Sequence, residues 1–221
     1  MSDYAAARLN MVESQIRANN VTEPVLVDAF LAVPRERFVP KGMEGIAYVD
    51  EDLSLGDGRY LIEPMVLARL IQLTQVGPTD LALVIGCGTG YSCAVLARLA
   101  AAVVGVEASE ALADQAVATL GELSVDNAAV VKGSLTEGYP RQAPYNVILF
   151  DGAIDEVPPA IADQLADGGR LAAVVREGPR GVGRGTVFMR EHGVLSGRRA
   201  FDAATPLLPG LARKPSFVFP A

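Results

Sequence analysis

The chain has 221 residues, half of them hydrophobic and a fifth charged, with a formal net charge of −7. At roughly 150 residues per domain that leaves one large domain or one domain with an appendage, with apolar surface enough for a sizeable core and an acidic balance that does not gather phosphate backbones, so no nucleic acid is expected as a partner. One histidine, His192, and two cysteines, Cys87 and Cys93, exclude the usual His/Cys zinc sites and a multi-bridge disulfide framework, so no metal is expected and any reaction draws its reactivity from a cofactor.

The opening Met1-Ser2-Asp3-Tyr4 carries an early acid and no cationic lead into an apolar segment. The longest apolar stretch, from Ala94 to Val106, is interrupted by Arg98 and is too short to span a bilayer. A cytoplasmic protein with no membrane partner is the expectation. Residues 3–33 read as two helices: Ala6, Leu9, Val12 and Ile16 recur at helical spacing, and Thr22-Glu23-Pro24 looks like an N-cap with proline in the first turn. Pro34 ends the second. Residues 35–60 are rich in Gly, Pro and charge and read as a long ordered loop or short strands, a length usually kept for function. Glu63-Pro64 then opens a helix over residues 65–75, closed by Gly77-Pro78.

From there the pattern changes. Apolar runs at residues 81–85, 103–106, 128–131, 147–150 and 171–175 alternate with helical stretches near 91–100, 109–121 and 156–166. Strands apolar throughout and separated by helices are buried on both faces, which is the pattern of a doubly wound parallel α/β sheet. The Arg/Gly-rich piece 176–185 reads as a connection with solvated arginines rather than a ligand loop. Past Gly178 the alternation stops, and residues 186–190 and 217–219 read as antiparallel edge strands. His192 and Gly193 fall in a hairpin turn, where a surface histidine is the expectation.

The informative stretch is Ile85-Gly86-Cys87-Gly88-Thr89-Gly90-Tyr91, a buried strand running through a glycine-rich turn straight into a helix. That is the carboxyl edge of the first sheet strand, where open α/β folds bind ligands, and where glycines and free N–H groups let a nucleotide approach the backbone. A Walker-type loop needs a Gly-Lys-Ser/Thr ending and none follows; a dinucleotide fingerprint needs glycine where Tyr91 stands. The Gly-x-Gly-x-Gly actually present resembles the first motif of class I S-adenosylmethionine-dependent methyltransferases. Glu107 followed by Ala108 ends the second strand run, where an acid binds ribose hydroxyls, although a surface glutamate would fit the pattern too. Gly133-Ser134-Leu135 ends the third, where this fold contacts adenine. Asp151, at the end of the fourth, either orients an amino group of cofactor or acceptor or caps the following turn.

With these residues in view, the chain from about 10 to 175 resembles protein-L-isoaspartate O-methyltransferases. The matching pieces include Met11-Val12-Glu13-Ser14-Gln15-Ile16-Arg17, Val33-Pro34-Arg35-Glu36-Arg37-Phe38-Val39-Pro40, Ala47-Tyr48-Val49-Asp50 and Gln164-Leu165-Ala166-Asp167-Gly168-Gly169-Arg170-Leu171. The resemblance implies a mostly parallel, seven-stranded Rossmann-like methyltransferase sheet with an antiparallel C-terminal edge and an N-terminal helical section. The order of elements along the chain reads as one domain over 1–221, with N-terminal helices and the acceptor-side loop in 1–78 and the cofactor core in 79–221. The resemblance implies S-adenosyl-L-methionine held by Gly86, Cys87, Gly88, Thr89, Gly90, Glu107, Ala108, Gly133, Ser134 and Leu135, and a peptide or small-molecule methyl acceptor; it leaves the oligomeric state open. The family's Gly-x-Thr-Ile-Ser-x-Pro element, whose hydroxyls contact the isoaspartyl carboxylate, corresponds to Gly58-Arg59-Tyr60-Leu61-Ile62-Glu63-Pro64 here, with Tyr60 for the threonine and Ile62 for the serine. Leaving a carboxylate partly unpaired in a dry site costs about 1–3 kcal/mol. Three functions follow: isoaspartyl esterification with Arg59 or Tyr60 recognising the carboxylate, methyl transfer to another acceptor with Asp151 or Tyr60 as base, or cofactor binding without catalysis.

Overall fold

In the computed structural model, which describes residues 3–178 and 182–213, the chain builds a seven-stranded sheet and a separate two-stranded hairpin. The N-terminal section begins with α1 (Tyr4–Met11), capped by the Asp3 side chain on the Ala6 N–H, and runs on through a π turn at Val12–Ile16 and a 3₁₀ turn at Arg17–Asn19. Helix α2 (Pro24–Ala32) starts on its proline and stops where Pro34 holds Val33 extended. Two short 3₁₀ turns follow, Arg35–Phe38 and Glu44–Ile46, and then strands β1 (Leu53–Gly56) and β2 (Arg59–Leu61) pair as a hairpin. So residues 35–60 are an ordered loop that does contain short strands. Helix α3 (Pro64–Thr74) ends one residue before the expected boundary, because Gln75 already turns left-handed at φ 47°.

The sheet strands are β3 (Leu81–Ile85), β4 (Ala102–Glu107), β5 (Ala128–Lys132), β6 (Tyr145–Ile154), β7 (Leu165–Arg176), β8 (Gly183–Glu191) and β9 (Val194–Ala203), in the order β5-β4-β3-β6-β7-β8-β9. Pairing is parallel from β5 to β7 and antiparallel from there to β9. Helices α4 (Tyr91–Ala97) and α5 (Glu110–Glu122) cross over on one face with α3 and the N-terminal section, burying Ala82, Val84, Val103, Val147 and Leu149 in one apolar cluster. The other face buries Leu83, Ile85, Val104, Val106, Ile148 and Phe150 beneath Ile161 of α6 (Pro159–Ala162) and beneath Leu208 and Leu211. Double-sided burial is why these strands read as unbroken apolar runs.

Two expectations need correction. The helix expected near 156–166 shrinks to the single turn of α6, because Leu165 already pairs with Tyr145 as β7 begins. The seventh strand is β9, which the polar run Ser196-Gly197-Arg198-Arg199 concealed: an outer strand packs few residues against the core and so shows no apolar pattern. Residues 217–219, expected as that strand, lie outside the described residues. The β8–β9 turn is His192-Gly193, both at positive φ (51° and 79°), and His192 is exposed there as expected.

Candidate active site

Strand register assembles the site. Ile85 pairs with both Val106 and Phe150, and Val106 with Val131, so the next residues, Gly86, Glu107, Asp151 and Lys132, form a row along the carboxyl edge. The chain leaves β3 toward β4 on one side and returns to its other side as β6, which makes Gly86 the topological switch point. Gly86 and Gly88 sit at φ +74° and +54°, which L side chains rarely adopt.

Glu107 is completely buried. Its Oε2 accepts the Gly88 N–H at 2.7 Å, and its Oε1 accepts the N–H groups of Ala108 (2.8 Å) and Ser109 (3.1 Å). These bonds hold the carboxylate at the mouth of the glycine loop and settle that Glu107 is no surface glutamate. Arg59 of β2, 3% exposed, reaches across to the same carboxylate with Nε at 3.2 and 3.4 Å, while its Nη2 donates to the Gly86 carbonyl. In this structure Arg59 therefore faces Glu107 and not the acceptor side: an opposite charge with a buried backbone acceptor beside it outcompetes an exposed position. Tyr60 is half-buried on the hairpin.

The loop's N–H groups are largely spent inside the protein. Gly86 and Cys87 donate to the Val106 carbonyl, and Gly90 to the Cys87 carbonyl. Thr89 donates its hydroxyl to the Phe38 carbonyl, tying the loop to the N-terminal section. Cys87 and Cys93 both lie against Gly105 of β4, where a Cβ would stand 2.8 Å from either sulfur. They are buried and unbridged, and the Cys93 thiol together with burial raises the Cys87 pKa well above its ordinary value. Beyond β5, the Ser134 hydroxyl bonds the Thr136 hydroxyl at 2.9 Å on the surface, and Leu135 is buried.

Asp151 lies within β6, at the irregularity between Leu149 and Ala153, so it does not cap a turn. Its Oδ2 accepts the Ser92 hydroxyl at 2.6 Å, and its buried Oδ1 has no partner among the described residues. Burial pushes its pKa up to about 6, against the pull of Ser92, Arg59 and Arg35. Among the described residues the Tyr91 hydroxyl and the Arg35 Nη1, which interact electrostatically with each other, also make no hydrogen bond of normal geometry. Arg35 is fully buried, donates to the carbonyls of Ala47 (2.7 Å) and Ile62 (2.8 Å), and lies 4.9 Å from the Tyr91 ring centre. Ile62 is 1% exposed and packs in the core. Its neighbour Glu63 is pushed up to about 7 by burial and by Asp52 and Asp50.

Several participants were not singled out from the sequence as site residues. Ser92 carries no pattern of its own, and Arg35 stands in the family-like stretch 33–40 without being marked there as a site residue. Leu208 arrives on a C-terminal segment that bonds along β6, Ala153 N–H to the Pro206 carbonyl and Leu208 N–H to the Ala153 carbonyl, both at 2.8 Å. The apolar run Pro206-Leu207-Leu208-Pro209 was the available signal.

The donor set fits an adenosyl group: a rigid carboxylate at the end of β4, glycines whose missing side chains leave room that Arg59, Leu55 and Leu208 fill here, and an Asp151 oxygen with no partner among the described residues. The Protein-L-isoaspartate(D-aspartate) O-methyltransferase family model matches residues 7–192. A Methanoculleus marisnigri protein named protein-L-isoaspartate O-methyltransferase is 42% identical over 173 residues, 78% of each chain. A solved protein-L-isoaspartate O-methyltransferase superposes with a TM-score of 0.82 at 26% identity, covering 93% of this chain and 67% of its own. A Plasmodium falciparum structure, titled as a beta-aspartate methyltransferase in complex with S-adenosyl-L-homocysteine, shares the fold with a TM-score of 0.75 at 17% identity, covering 94% of this chain and 99% of its own.

Proposed function

The chain belongs to the protein-L-isoaspartate O-methyltransferase family, and from that premise we propose that it esterifies the free carboxylate of isoaspartyl residues in peptides, using S-adenosylmethionine. The observation that carries this is the row of Gly86, Glu107 and Asp151 at the switch point of a sheet whose relatives are named for that reaction.

When bound, the cofactor supplies a methyl group activated by its sulfonium. Glu107 would accept the ribose hydroxyls, and the backbone at Gly86, Cys87, Gly88, Thr89 and Gly90 would let the nucleoside lie close once the side chains over the glycines give way. Ala108, Gly133, Ser134 and Leu135 border the adenine side, at the ends of β4 and β5. Asp151, whose Oδ1 has no partner among the described residues, would orient the amino group of the methionine moiety. An isoaspartyl carboxylate is already a nucleophile and needs no base, so the protein's part is alignment and exclusion of water, which suits a chain with one exposed histidine.

One observation favours a second reading, transfer to a less charged acceptor: Ile62 brings no hydroxyl to the acceptor side and its carbonyl is taken by Arg35. Paired isoaspartyl and aspartyl peptides separate the two. The expected result is an isoaspartyl-dependent methyl ester, seen by mass, with release of S-adenosylhomocysteine. If that product binds and no ester forms, the acceptor is another, and if no acceptor gives turnover the chain only binds the cofactor. Ile62→Ser restores a donor worth about 1–2 kcal/mol, an increase of roughly tenfold in isoaspartyl kcat/KM, at a core-packing cost on the order of 2–4 kcal/mol in stability.

A further inference from the structure

Arg59 stands where the proposed function puts the cofactor's ribose. Its Nε faces both oxygens of Glu107, its Nη2 takes the Gly86 carbonyl, and a Cβ on Gly86 would lie 2.7 Å from that same nitrogen. The hairpin brings a second plug: Leu55 of β1 would lie 2.8 Å from a Cβ on Gly88. The space that the glycines leave open is therefore filled by the chain itself.

We infer that Arg59 is an internal competitor for the ribose site, and that the β1–β2 hairpin withdraws before an adenosyl ligand can enter. A ribose diol donates hydrogen bonds and a guanidinium donates hydrogen bonds, so both need the same carboxylate lone pairs, and Glu107 already gives three to backbone N–H groups. The hairpin can move as a unit by lifting Leu53, Leu55 and Leu61 out of the apolar cluster they pack in, a cost that holds the closed form in place. It forms its own two-stranded sheet apart from the main one, and its turn, Asp57-Gly58, is exposed with both residues at positive φ (53° and 68°). One tie beyond Arg59 crosses from the turn, the Ser109 hydroxyl to Asp57 at 2.8 Å, and it is exposed. Withdrawal leaves Glu107 held by its three backbone donors and moves the guanidinium into water, so neither charge is stranded. The closed form lowers apparent affinity by the fraction of molecules that are open.

This rests on Glu107 being the ribose acid, and the test separates the two ideas. S-adenosylhomocysteine is titrated calorimetrically into wild type and Arg59→Gln, and amide exchange of residues 53–61 is followed with and without it. The expected results are a Kd at least about threefold lower for R59Q and faster exchange across the hairpin of wild type when the ligand binds, where an ordinary site becomes protected. Equal affinities, or a hairpin that becomes protected, overturn the displacement while leaving Glu107 its role. No binding to either protein overturns both. The exchange measurement on wild type decides the matter even if R59Q fails to fold.

Discussion

Asp151 shows how a single residue here trades stability for function. Its folded-state pKa, about 6 against an ordinary 3.8, is set first by burial and opposed by Ser92, Arg59 and Arg35, with Glu107 adding to the rise. A carboxyl whose pKa is raised by folding binds its proton more tightly in the folded state. Its contribution is therefore fully present below about pH 4 and is lost as pH rises through about 6. A gap of about two pH units corresponds to roughly 3 kcal/mol. Asp151→Asn keeps a partner for the Ser92 hydroxyl and removes the buried charge. It should be more stable than wild type at pH 7.5 by about 1–3 kcal/mol in urea denaturation, with the advantage gone by about pH 4. It should also bind S-adenosylhomocysteine about tenfold more weakly if Oδ1 takes the amino group. A variant no more stable at pH 7.5 would show that the charge is well compensated. The sequence offered Asp151 as a candidate because it follows a strand; its free oxygen and its Ser92 partner, 59 positions away in the chain, depend on tertiary packing.

At the scale of elements, local chemistry was legible wherever it acts over a few residues. Pro24 and Pro64 start their helices as expected, and His192-Gly193 makes the turn it suggested. Helix α3 ends on a strained position instead of at its glycine: Gln75 holds φ 47° and accepts Arg170 Nη2 through its carbonyl, a bond that any residue there can make. Gln75→Gly should therefore stabilise the protein by about 0.5–1 kcal/mol, read as a rise of about 1–4 °C in Tm. No rise would mean that the Gln75 side chain contributes packing that offsets the strain. Helix α6 and strand β9 were misjudged for one reason. A helical or apolar pattern reports burial, and these elements take their form from what they pair with: Leu165 with Tyr145, and β9 with β8.

For the molecule as a whole, the N-terminal section is welded to the sheet. One apolar cluster runs from Met11, Ile16 and Phe30 through Tyr91 and Val95 to Val147 and Ala172. Tyr91 packs edge-on against Phe30 and Phe38 at 6.3 and 5.4 Å, and Arg170 of β7 donates to the Thr74 and Gln75 carbonyls and pairs with Asp80. Residues 1–78 and the α/β core should therefore unfold as one unit. Far-ultraviolet dichroism and tyrosine fluorescence should give coincident urea transitions, whereas two separated transitions would make the first 78 residues a domain of their own. The sequence by itself determined the parallel α/β class, the glycine loop, the acid at 107 and the family, because each is written in neighbouring residues or in a period that burial on two faces imposes. Only the tertiary structure decided that Arg59 lies on Glu107, that Leu55 and Leu208 close over the glycines and that the buried Arg35 donates to the Ile62 carbonyl. Such contacts join residues about 30 to 120 apart, and their partners are chosen by register and by the matching of buried charge, which no local pattern records.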